Sequence, residues 1–73
     1  MKNDITQAEY ESALEVAGFH HCPFFPGHVH TTMKDGTLAH FCEAAAQDQF
    51  ETRREVLADL IQSRDWEERE AAK

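Results

Sequence analysis

No stretch of this 73-residue chain approaches the roughly 20 consecutive apolar residues of a membrane-spanning helix, so the sequence offers no helical membrane span. The start, MKNDITQAEYE, has no apolar run and no small-residue cleavage site. A cytoplasmic chain is expected, with its two cysteines reduced or metal-bound rather than paired. Basic residues are scarce, 7 Lys and Arg against 14 Asp and Glu, and the net charge of −7 repels a phosphate backbone. Nucleic acid is therefore a disfavoured partner. There is no Gly-rich phosphate loop, no Ser-His-Asp candidate, and neither an H-E-x-x-H nor an H-x-E with P-C-x-x-C arrangement. With little volume for a substrate pocket as well, the chain is not expected to be an enzyme.

Outside residues 20 to 42 the chain also lacks histidine and cysteine altogether. Inside that stretch stand His20, His21, Cys22, His28, His30, His40 and Cys42. Imidazole and thiolate are the usual zinc ligands, and a shared ion explains their crowding better than chance. A single domain of this length buries little surface, and cores below roughly 70 to 80 residues commonly need a disulfide, a metal or a partner. One structural Zn²⁺ is the expected staple.

The charge is uneven. Residues 1–18 carry one basic and four acidic side chains, residues 19–42 are neutral, and residues 43–73 carry five basic and nine acidic ones. The ligand-rich stretch thus lies between two acidic flanks.

Thr6, Gln7, Ala8 and Glu9 spell a capping box, and Gly18 is a natural left-handed stop. A helix is expected from about 7 to 17, burying Tyr10, Ala13, Leu14 and Ala17. Pro23, Pro26 and Gly27 make residues 20–27 a turn-rich loop. Two β-branched and apolar runs, residues 29–33 and 37–41, flank Lys34, Asp35 and Gly36 and predict a two-stranded antiparallel hairpin. Register decides the site, because a slip of one residue sends every side chain to the other face. A two-residue Asp35-Gly36 turn would put His28 and His30 opposite in face to His40 and Cys42. A three-residue loop, with Gly36 as a left-handed bulge, pairs His30 with His40 and His28 with Cys42 on one side.

The preferred ligands are Cys22, His28, His40 and Cys42, tetrahedral and closed to solvent, with His30 the rival to His28. His20 and His21 are weighed as solvated loop residues, and Phe24 and Phe25 as core. Buried free thiols are the bland alternative for Cys22 and Cys42. Cys42 is expected to open the next helix, with its thiolate favoured by the unpaired amides there. That helix is expected over about 43 to 66, with a stripe of Ala46, Phe50, Leu57, Leu60 and Ile61, Val56 at its margin, and a frayed tail to 73. Trp66 stands alone on its charged end.

The run Cys22-Pro23-Phe24, followed by a hairpin ending in His40-Phe41-Cys42, resembles the zinc ribbon of bacterial primases over those residues alone. Phe25 stands where that pattern has His, and Ala45 where it has its last Cys, so no function is carried across.

The whole reads as a small α+β zinc-stabilised domain: helix, loop, two-stranded antiparallel hairpin, long C-terminal helix. Its acidity and lack of catalytic groups suit a small accessory protein, of the kind encoded by phage or mobile elements, that acts as adaptor, regulator or inhibitor by binding another protein. The alternatives are a zinc-ribbon nucleic-acid binder using Phe24, Phe25, Lys34, Arg53 and Arg54 and, third, a metal-dependent enzyme.

Overall fold

Thr6 starts the first helix as its sequence dictates. The Glu9 amide donates to the Thr6 hydroxyl (3.1 Å) and the Thr6 amide donates to the Glu9 carboxylate (2.9 Å), so α1 runs over Gln7–Val16. Gly18, at φ +91°, then turns the chain out of the helix, with its amide on the Glu15 carbonyl (3.0 Å). The computed structural model describes residues 3–72, and the structural statements concern those residues.

The chain then forms a three-stranded antiparallel sheet in the order β1-β2-β3, with β1 at Phe19–His21, β2 at His28–Thr32 and β3 at Leu38–Cys42. Two strands were expected. The third, β1, occupies the start of the segment read as loop and pairs Phe19 with Thr31, His20 with His30 and His21 with Val29. Between β2 and β3 the loop has three residues. The Met33 amide donates to the Thr37 carbonyl (2.7 Å), the Gly36 amide donates to the Met33 carbonyl (3.0 Å), and Gly36 sits at φ +88°. His28 therefore lies opposite Cys42 and His30 opposite His40.

The expected helix over 43–66 is two helices, α2 at Glu43–Gln49 and α3 at Arg53–Ala71. The break comes where Phe50 and Thr52 take extended backbone, and Thr52 caps α3 through its hydroxyl, which accepts the Glu55 amide (3.2 Å). Asp4 adds a second cap from outside the helix. Its carboxylate accepts the amides of Arg53 (3.0 Å) and Arg54 (3.2 Å), the first two of α3. Helix continues to Ala71, beyond the point at which fraying was expected; Lys73, the end of that expected tail, lies outside the described residues.

Alternation along the strands sends Phe19, Val29, Thr31, Met33 and Phe41 to one face, where the helices cover them. Tyr10, Leu14, Phe19, Val29, Ala46, Val56 and Leu60 form the core, with Ile5, Ala17, Phe41, Phe50, Leu57 and Ile61 packed around it. Val56, placed at the stripe's margin in the sequence reading, is fully inside it. Arg64 closes the far end of α1: its guanidinium donates to the Ala17 carbonyl and lies 5.0 Å from the centre of the Phe19 ring. Asp4 binds where α3 begins and Arg64 binds where α1 ends, so the two helices run side by side in the same direction.

Candidate metal centre

The second face of the sheet is uncovered, and the candidate ligands are on it. Residues 20, 22, 28, 30, 32, 38, 40 and 42 share this face by alternation and register. The Cys22 amide donates to the His28 carbonyl (3.0 Å), which carries the β1–β2 pairing one residue further and sets Cys22 opposite His28. Six of the seven candidates thus fall into two rows across three strands. One row is Cys22, His28 and Cys42; the next is His20, His30 and His40.

Spacing follows from the hydrogen-bond pattern. Counting back from the bonded Met33–Thr37 pair, His30/His40 and His28/Cys42 are non-hydrogen-bonded pairs, whose Cα atoms approach to about 4.5 Å. The His20 and His30 ring centroids are 5.9 Å apart and those of His30 and His40 are 5.7 Å apart. Among the described residues, no group of three or more His, Cys, Asp or Glu side chains is drawn together as a formed ion site. Cys22 and Cys42 are free thiols on either side of β2. Their Cα atoms are roughly 10 Å apart by strand spacing, beyond the roughly 7 Å limit for a disulfide within one chain.

The expectation of a centre closed to solvent meets a different setting. Cys42, His40 and His20 are exposed, and the two middle-strand histidines are half-buried between their neighbours. Phe24 and Phe25, expected in the core, are 82% and 61% exposed. Pro23, Pro26 and Gly27 turn this loop beyond the end of the sheet; its Gly27 carbonyl accepts the Ala44 amide of α2 (3.0 Å), while Phe25 lies beside His28 with centroids 5.9 Å apart. Leu38 is exposed at the opposite end of the same face. The two rows therefore lie between apolar side chains. Cys42 does stand at the N-cap of α2, but its side chain makes no capping bond there.

His21 points to the helix side, away from the rows. Its Nε2 is 2.8 Å from a Glu11 carboxylate oxygen, and its Nδ1 is 3.6 Å from one of Glu43. Glu43 is buried, 6% exposed, and its carboxylate accepts the Tyr10 hydroxyl at 2.5 Å. Burial, and then this carboxylate, push the Tyr10 hydroxyl well above its usual range. This group ties α1 to the sheet and to α2, which accounts for His21 without an ion.

His20, read from the sequence as a solvated loop residue, is exposed but stands on β1 rather than in a loop. Only the pairing of β1 brings it beside His30, and the signal was the short alternating run Phe19-His20-His21 before the prolines. No protein-family model, no curated protein and no solved structure matches this chain.

Proposed function

We propose that this chain is a small zinc-binding interaction module, an accessory protein whose open sheet face holds a structural ion and meets a partner protein. The observation that supports this is the gathering of Cys22, His28, His30, His40 and Cys42 into two adjoining rows on one face. Cys22, His28 and Cys42 form a row of two thiolates and one imidazole, a donor set suited to zinc. An imidazole from the adjoining row, His40 on the same strand as Cys42, would complete four ligands, with His30 as its substitute.

The core explains why such an ion would matter. Among the described residues only eight apolar side chains are buried, and the sheet presses just one of its faces against them. An ion joining all three strands would fix the side that no helix holds. Partner binding is motivated by Phe24, Phe25 and Leu38, whose exposed apolar surfaces flank the ligand rows.

Native mass spectrometry of the reduced protein should show zinc retained on the chain, and a strong chelator should lower the thermal midpoint. Cys42→Ser should remove most of that metal-dependent stability, whereas His21→Ala should leave zinc content unchanged. A metal-free protein with the same midpoint as the zinc-loaded one would end this reading. Salt-sensitive binding of short oligonucleotides at low ionic strength would instead favour the nucleic-acid alternative.

A further inference from the structure

We infer that the imidazole row His20, His30 and His40 is a second metal site on the same face, taking a borderline divalent ion such as Ni²⁺, Cu²⁺ or Zn²⁺ through three nitrogens. This extends the zinc reading of the adjoining row, with which it shares His40. Each of the three strands contributes one imidazole at the same level, because the sheet order is β1-β2-β3 and both pairings are in register at His30. With Zn–N bonds of about 2.0 to 2.1 Å and a tetrahedral angle, two ligating imidazoles have centroids roughly 5 Å apart. The neighbouring pairs here stand at 5.9 and 5.7 Å. The outer two, His20 and His40, have Cα atoms roughly 10 Å apart by strand spacing, so both rings must lean over His30 to close the third side of the site.

Donor chemistry separates the two rows. Thiolates draw zinc, while a set of neutral nitrogens binds the later first-row ions in the order in which imidazole prefers them. Residues two apart on a strand are roughly 6.6 to 6.8 Å apart, further than the roughly 3.5 to 4 Å of a bridged two-metal centre. The ions would therefore act separately. Two thiolates neutralise the charge of the first ion, so the second meets a neutral site on a chain of net charge −7. At one equivalent His40 serves the thiolate row. At two it returns to its own row, and each ion keeps a position open to solvent.

Titration of the reduced protein with Co²⁺ and, separately, Ni²⁺ tests this. Two equivalents of Co²⁺ should bind, with thiolate-to-cobalt charge transfer complete at the first. His20→Ala, an exposed position, should lose the second equivalent and keep the charge transfer. A Cys22→Ser/Cys42→Ser variant, checked for folding by circular dichroism, should show no charge transfer yet still bind one Ni²⁺. A single equivalent unaffected by His20→Ala, or no Ni²⁺ binding by a folded double variant, overturns the imidazole site. Ni²⁺ binding without charge transfer in the unaltered protein would support it and remove the zinc reading instead.

Discussion

Tyr10 and Glu43 form a buried side-chain hydrogen bond between α1 and α2. A carboxylate there requires its donor, since a buried acceptor left unpaired costs about 1 to 3 kcal/mol. Tyr10→Phe should lower the unfolding free energy by an amount in that range, measured by urea denaturation near neutral pH. Alkali probes the same contact. The hydroxyl's pKa is raised in the folded state, so its stabilising contribution is complete below the unfolded value of about 10 and declines as pH rises above it. Urea midpoints should therefore fall between about pH 9 and about pH 11, and the fall should be smaller for Tyr10→Phe. If both fall equally, other groups govern the alkaline limb.

At the scale of elements, the ends of helices and the turn of the hairpin carry most of the specification. Gly36 has no atom within 4 Å of where a Cβ would stand, so Gly36→Ala tests backbone strain alone. A left-handed alanine should cost about 1 to 2 kcal/mol, read from the shift in denaturation midpoint. Asp4 links the N-terminal segment to α3. The Arg53 amide above all, with the Arg54 amide adding to it, holds its carboxyl below the ordinary value. Its stabilising contribution is thus present above the ordinary carboxylate range and lost as pH falls through it. The deficit of Asp4→Asn relative to the unaltered chain should narrow from about pH 7 to about pH 3.

These elements were unequally legible. The capping box at Thr6 and the three-residue turn at Lys34 to Gly36 could be read because each depends on neighbours in sequence. Thr52-Arg-Arg-Glu55 carries the same Thr-x-x-Glu pattern, yet the apolar period continues across it through Ala46, Phe50 and Leu57 and masks the break. β1 was hidden for another reason. It has three residues, and its partner lies across a six-residue loop rather than a tight turn. The His28–Cys42 and His30–His40 pairs followed from the hairpin register, whereas His20, and the alignment of Cys22 with His28, came only through the pairing of β1.

The whole molecule measures 42 × 26 × 21 Å, with a radius of gyration of 12.5 Å against about 11 Å for a typical chain of this length. The excess comes from α3, whose 19 residues span about 28 Å. Its C-terminal part projects past the end of α1 toward the β2–β3 turn, where Met33, Lys34 and Asp35 border a hollow with Glu68, Ala71 and Ala72. Among the described residues, no helix is long and apolar enough to cross a membrane.

β2 supplies Val29 and Thr31 to the core from one side and His28 and His30 to the two rows of candidate ligands on the other. If it paired one residue out of step, the imidazoles would enter the apolar interior and the aliphatic side chains would face water. An ion that needs the middle-strand imidazoles would then find only the candidates of the two outer strands. Metal capture and core formation would thus reject the same misfolded pairings, and the ion would act during folding as a selector of strand alignment as well as a brace afterwards.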